Sequence, residues 1–509
     1  MTPKDPCGPC SVSACGGCPQ AGVSRRGFLA GSLALPALRS TSAAGVRDPA
    51  RQAPIAQPLA VQPVLLYETP QRRPATSWRA WGGIQTEQDA AAEQERIRRE
   101  LFHVSSQAGF RVQIRPLAAV KSPEQAAALA REPGDVRLVY AAGGSAKALE
   151  ALTPPDRWNL LFLRHRSGPV YLWYEIAHPR YLRKTVDDYG QPGMRVEDVV
   201  VDDQADLLAR LRGLYGLKNT LGKRIVAVGG PSGWGEGGRT APDRARELWK
   251  LDIRTVSYED LGRRIQRARE NPALVKRCRA EAAGYLARPG VTLETSREFV
   301  ENAFVLTEVF RDLLDEAATD AITINHCMAT IMPMSQTTAC LPLSLLNDDG
   351  YMAFCESDFV VIPSGILLHY LASRPVFLND PTYPHDGLVT LAHCTAPRKM
   401  DGAEEAPVKV LTHFESDYGA APKVDMRKGQ VVTNLVPDFA SRKWVGFAGE
   451  IVDNPSLPIC RSQIDVAIKG DTRKLLEEMK GFHWMTGYGD YLRETGYALH
   501  KAGVELVTV

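Results

Sequence analysis

Two carboxylates, Glu356 and Asp358, close the apolar run YMAFC; a core-like helix, IPSGILLHYLAS, follows them, and PVFLND reads as the next strand. At the carboxyl end of a strand, just before a helix, side chains face the crevice where open α/β units bind ligands. Two residues apart on an extended backbone, the pair points the same way, which is costly in a buried setting without a cation. A divalent ion relieves that cost, and hard oxygen ligands suit Mg2+ or Mn2+. The plainer alternative gives one carboxylate to helix capping and the other to solvent.

Other reactive side chains gather near this pair in the sequence. His326, Cys327, Cys340, Cys355, His393 and Cys394 combine thiol and imidazole, a set that favours zinc. Their irregular spacing and apolar surroundings instead favour buried, neutral cysteines. His393 lies in LAHCTAPRKMDG, a polar stretch with a proline, and reads as a substrate or metal contact. His385 and His413 have no supporting pattern. Tyr488 and Asp490 follow His483 closely enough to orient it. Further upstream, VAVGGPSGWGEGG carries a strand into a glycine-rich stretch. Its spacing matches neither G-x-G-x-x-G nor a P-loop, so the expectation is a flexible loop at the sheet's carboxyl edge, lining a ligand crevice with Trp234 as a lid. A merely packed indole is the alternative for Trp234.

The elements that must position these residues follow from the pattern of the chain. Its 509 residues are 44% hydrophobic and 24% charged, an ordinary globular composition long enough for several domains. The net charge of +2, with basic residues spread along the chain, leaves no electrostatic footprint for nucleic acid and fits a small-molecule partner. Residues 45–62 read as a Pro/Ala/Gln linker. Beyond it, PVLLYE, RVQIRPL and DVRLVYAAGG alternate with helical patterns, and a second series runs from NLLFLRH through PVYLWYEIAH, the helix QADLLARLRGLYG, RIVAVGG and IRTVSYEDL. Such alternation predicts two successive α/β layers of Rossmann-like type, over 63–165 and 166–327. From Met328, VKVLTHFES, KGQVVTNLVPD, RKWVGFAGEIVD and SQIDVAIKG are short alternating strands, predicting an α+β carboxyl-terminal domain, 328–509, with an antiparallel barrel-like part.

Residues 1–44 carry a targeting pattern. Arg25 and Arg26 precede Phe28, Leu29 and a short apolar run, and small residues around Ala44 allow cleavage. This resembles a twin-arginine export signal, which implies passage through the twin-arginine translocase after folding, often with a cofactor in place. Cys7, Cys10, Cys15 and Cys18 precede it with paired C-x2-C spacing and read as part of the leader. Folding in a reducing compartment predicts mostly free thiols among the six remaining cysteines.

From Met328 to the end, the chain resembles the carboxyl-terminal domain of the L-fucose and L-arabinose isomerase superfamily, and the two upstream layers are similar to that family's amino-terminal pair. The resemblance rests on Glu356-Ser357-Asp358 before a helix and RPVFLND, on GFHWMTGYGDYLRETGYALHKAGVELV, and on LAHCTAPRKMDG. It implies a divalent metal, Mn2+ foremost and Zn2+ or Fe2+ otherwise, on Asp358 and His483. It also implies a homo-oligomer and a sugar bound between the carboxyl-terminal domain and the second layer. One departure matters: the family pattern has a further Glu about two dozen residues before the Asp, where this chain reads IMPMSQTTAC, with Ser335 or Gln336 in the neighbourhood. Aldose–ketose interconversion needs a positioned base, and a glutamine takes no proton. Glu356 is therefore the expected base or ligand, with Asp358 beside it in the catalytic pair, while His393, Gln336 and Trp234 are expected on the sugar. An exported carbohydrate-binding protein of the same fold that has lost isomerase activity is the alternative. A two-layer solute-binding protein leaves the barrel-like end unexplained.

Overall fold

The computed structural model describes residues 56–183 and 193–509. The leader, its four cysteines and most of the expected linker lie outside the described residues.

The first strand, β1 (Leu59–Leu66), is buried along almost its whole length, as is β4 (Val136–Ala141) after β2 (Val112–Ile114) and β3 (Ala118–Val120). Continuous apolar runs of this kind belong to parallel sheets covered on both faces. With β5 (Trp158–Leu163) and β6 (Val199–Val201) they form a parallel sheet in the order β2-β1-β4-β5-β6, with β3 also on β1. A Thr86–Asp89 capping box starts the first crossover helix, Glu87–Ser106.

The second sheet uses β7 (Arg224–Val228), β8 (Asp252–Val256), β10 (Ala321–Ile324) and β11 (Met352–Phe354), after β9 (Val291–Leu293) is set aside for a separate sheet. Its order is β11-β10-β7-β8, all parallel. The chain leaves β7 toward β8 on one side and later returns to β10 on the other, so a switch point lies between β7 and β10.

Beyond the helix Ile362–Ala372, six strands close a ring: β12 (Phe377–Pro381), β13 (Leu388–His393), β16 (Val431–Pro437), β17 (Lys443–Asp453), β18 (Ser462–Lys469) and β19 (Trp484–Tyr488). Each pairs antiparallel with two others, in the cycle β16-β19-β12-β13-β18-β17-β16. The last strand, β20 (Glu505–Thr508), adds parallel to the start of β17. A barrel this narrow is filled by side chains. Alternate residues divide between two cores: Phe377 and Trp484 join a cluster with Val389, Phe447 and Ile464, whereas Leu378 and Met485 pack with Ile366 and Leu367 of the preceding helix.

The structure corrects the expected boundaries in several places. β1 begins inside the stretch read as linker, β6 completes the first sheet although it falls within 166–327, and β11 belongs to the second sheet rather than to the carboxyl-terminal domain. The stretch PVYLWYEIAH is helical, with turns over Trp173–Ile176 and Ala177–Leu182. IRTVSYEDL is a strand only to Val256, because Ser257 caps a helix by accepting a hydrogen bond from the Asp260 amide. VKVLTHFES lies in β14 (Val408–His413), outside the barrel, in a sheet with β15 (Tyr418–Val424) and β9. The described residues, 56–183 and 193–509, fall in one compact unit.

Candidate metal centre

The loops after β11 and β7, the strands on either side of β10, reach the same place. The chain leaving β11 turns sharply, with Glu356 (φ 63°) and Ser357 (φ 48°) consecutively in the left-handed region. That conformation costs about 1–2 kcal/mol per non-glycine residue and persists where neighbours enforce it. Here the glycine-rich loop after β7 enforces it: the Ser232 amide donates to the Ser357 carbonyl (3.1 Å), and the Phe359 amide donates to the Ser232 carbonyl (3.0 Å). The carboxylates therefore do not sit on extended backbone, as the spacing had suggested, and their side chains diverge.

Asp358 is buried, and both of its oxygens are engaged. Oδ1 accepts from the amides of Trp234 (3.1 Å) and Val360 (3.0 Å), and Oδ2 lies 2.7 Å from His483 Nδ1. The other ring nitrogen, Nε2, faces Glu356 Oε2 and Asp380 Oδ1, each at 3.2 Å. His393 Nε2 is 3.8 Å from Glu356 Oε1 and completes the group. Its Nδ1 is 3.0 Å from Thr395 Oγ1.

The barrel register produces this convergence. β12 and β19 pair Asn379 with Trp484, so the next pair along the ladder is Asp380 opposite His483. β12 and β13 pair Asp380 with Ala392, which brings His393 to the same rim. Three adjacent strands thus present Asp380, His393 and His483 toward the carboxyl edge of the second sheet, which contributes Glu356. The ligand atoms of Asp380, His393 and His483 lie within 4.8 Å of one another, as do those of Cys355, Glu356 and His393, so these groups can hold a metal ion.

Two buried atoms in the group, His483 Nε2 and Asp380 Oδ1, have no hydrogen-bond partner although they face each other. Buried polar atoms are ordinarily satisfied, and a cation bound between these two would satisfy both. Burial pulls His483 down, but the carboxylates of Asp358 and Glu356 on its two nitrogens raise it to about 10. Burial also lowers His393, while the contact with Glu356 and the charge of Asp380 raise it overall. Glu356 would rise on burial, yet the two imidazoles hold it well below the usual carboxylate range. Asp380 is raised, by burial first and by its carboxylate neighbours next. Three carboxylates against two imidazoles leave an excess of negative charge that suits a cation.

At the mouth, the Trp234 indole stacks on Phe482 at 3.9 Å with 9° between the planes. Both rings remain partly exposed, at 45% and 38%. Gln336 is elsewhere in character: it is exposed, ends a short helix and accepts at its carbonyl from Asn302, and among the described residues it bonds none of this group. Neither Tyr488 nor Asp490 contacts His483 through a described bond; Tyr488 pairs with Val432 across the sheet, and Asp490 accepts from the Leu492 amide. Asp380 escaped the sequence reading although it stands in RPVFLND; its only signal was a carboxylate ending an apolar strand. All six described cysteines are free. Among protein-family models and curated proteins, none matches this chain.

Proposed function

We propose that the chain is a metal-dependent sugar isomerase-like enzyme, interconverting an aldose and a ketose through an enediol. The observation that carries the reading is the pair of buried atoms without a well-formed hydrogen bond, His483 Nε2 and Asp380 Oδ1, 3.2 Å apart beside Glu356 and His393. His483, His393, Asp380 and Glu356 would hold the ion, a mixed nitrogen and oxygen set compatible with Mn2+ and also with Zn2+ or Fe2+. Bound there, such an ion supplies Lewis-acid polarisation of a sugar carbonyl oxygen. Asp358, expected as a direct ligand, instead orients His483 through Nδ1, the arrangement that fixes a ligating imidazole.

Proton transfer falls to the carboxylates that keep solvent access. The Glu356 side chain is 46% exposed and that of Asp380 27%, against 2% for Asp358. The Trp234–Phe482 stack gives an aromatic face beside a polar centre, which suits a pyranose with one apolar side and many hydroxyls. The Arg25-Arg26 leader supports an exported location, and the sugar, the oligomer and the export route belong to this same reading.

A binding protein of the same fold is the second reading, favoured by one observation: the segment around Ser335 and Gln336 contributes no carboxylate to the group. Elemental analysis of the full chain, followed by incubation with aldoses in D2O, separates the two. Loss of about one ion per chain from the parent's content in Asp380→Ala and His483→Ala, together with deuterium entering sugar C2, supports the enzyme. Saturable sugar binding without exchange supports the binder, and a metal-free chain removes both the centre and the isomerase reading.

A further inference from the structure

Behind the His393 rim lies a second group of ligating side chains. Cys340 is the first residue of the helix Cys340–Asp348, Cys394 follows the end of β13, and His413 ends β14. The three come from separate elements, yet their ligand atoms all lie within 4.8 Å of one another. All three side chains are buried, at 5%, 2% and 6% exposure. Cys460, from the loop between β17 and β18, is partly buried against Cys340 and Cys394.

We propose that Cys340, Cys394 and His413 form a second metal site, of soft-ligand type and selective for Zn2+ or a similar thiophilic ion, with Cys460 as the nearest fourth ligand. Four arguments support it. First, tetrahedral zinc with bonds of about 2.0–2.3 Å sets its ligand atoms roughly 3.4–3.8 Å apart, within the spread seen here. Second, the supporting contacts are those expected around a ligating thiolate and imidazole. The Arg461 amide donates to Cys394 Sγ (3.4 Å), and His413 Nδ1 has Ser416 Oγ at 3.4 Å, which leaves Nε2 to act as the ligand.

Third, the scaffold is rigid. The Thr338 hydroxyl donates to the Ala420 carbonyl (2.8 Å) and accepts from the Ala420 amide (3.2 Å), clamping the approach to Cys340 against β15. Gly419 packs so closely on Thr338 that a Cβ there would lie 2.6 Å from its amide nitrogen. Fourth, cysteines buried merely as small apolar side chains have no reason to meet in a chain with a histidine; Cys278, packed with Ala282 and Tyr285 in another core, is the contrasting case.

His393 and Cys394 are sequence neighbours whose side chains serve different groups, so the two sites share the end of β13 as a wall. Thiolates select a softer ion than the carboxylate-rich centre on the other side. The inference does not depend on the isomerase reading.

Full-length protein, made and purified under reducing conditions and titrated with Co2+, tests it. A thiolate-to-cobalt charge-transfer band is expected at about one equivalent, persisting in Asp380→Asn, absent in the Cys340→Ser/Cys394→Ser double variant, and displaced by Zn2+. Absence of the band, its survival in the double variant, or a Cys394–Cys460 disulfide in the purified chain would overturn the proposal. X-ray absorption at the zinc edge of the loaded parent needs no variant: sulfur scatterers around zinc support the site, and a shell of nitrogen and oxygen alone refutes it.

Discussion

His483 is held from both sides by carboxylates that come from one turn: Asp358 Oδ2 is 2.7 Å from Nδ1, and Glu356 Oε2 is 3.2 Å from Nε2. The left-handed backbone at Glu356 and Ser357 lets residues only two apart clasp opposite edges of one ring. The division of labour follows, with the buried carboxylate orienting the ring and the exposed one facing the open side.

Replacing Asp358 tests that division. Asp358→Asn keeps an acceptor for the Trp234 and Val360 amides but weakens the hold on Nδ1. Metal affinity is expected to fall about 10–100-fold, with the thermal midpoint changed little. Asp358→Ala also strands the two amides, and a further loss of about 1–3 kcal/mol in stability is expected. Metal titration and chemical denaturation read the two effects separately, and equal metal affinity in all three proteins would remove Asp358 from the centre.

The aromatic pair is expected to serve the sugar and not the ion. Trp234→Ala and Phe482→Ala each remove one half of a stack worth about 0.5–1.5 kcal/mol. Sugar affinity measured by calorimetry should drop several-fold while metal content stays at the parent level. A variant that loses metal but binds sugar normally would reverse these assignments.

A half-buried acid away from the centre gives a pH signature. Burial pushes Asp348 up to about 7, against opposition from the Lys399 amide and the charges of Lys399 and Arg398. Its folded value lies above the ordinary 3.8, so the folded chain binds the extra proton between those limits. The stabilisation is full below about pH 4 and is lost as pH rises through 7. Asp348→Asn, a fixed neutral stand-in, should therefore gain on the parent by on the order of 2–4 kcal/mol between pH 4 and 8. Denaturation midpoints across that range check it, and parallel curves would show that the acid stays ionised.

The proposed export rests on two arginines. Arg25→Lys/Arg26→Lys in the full chain should retain the protein in the cytoplasm, because the twin-arginine route reads that pair. Fractionation of cells expressing parent and variant decides it, and unchanged export would point to another route.

Much of this architecture was legible along the chain. Continuous apolar runs mark β4, β7, β10 and the helix Ile362–Ala372, because burial on all sides demands such runs. Glu356 and Asp358 stood out because charges ending a buried strand need a reason. VKVLTHFES, by contrast, has the alternation of a barrel strand and lies outside the barrel; alternation reports one buried face but not which sheet supplies the neighbour.

The sequence by itself determined the parallel layers, three of the six barrel strands and the reactive residues near their ends. Only the tertiary structure decided which of those residues meet. Asp380 faces His483 because of a ladder register between strands more than a hundred residues apart, and His413 reaches Cys340 and Cys394 through a separate sheet. Local physical chemistry writes the periodicity of each element into its own residues, whereas register and loop closure are set by the packing of the whole chain, so nothing local to Asp380 or His413 says which side chains it meets.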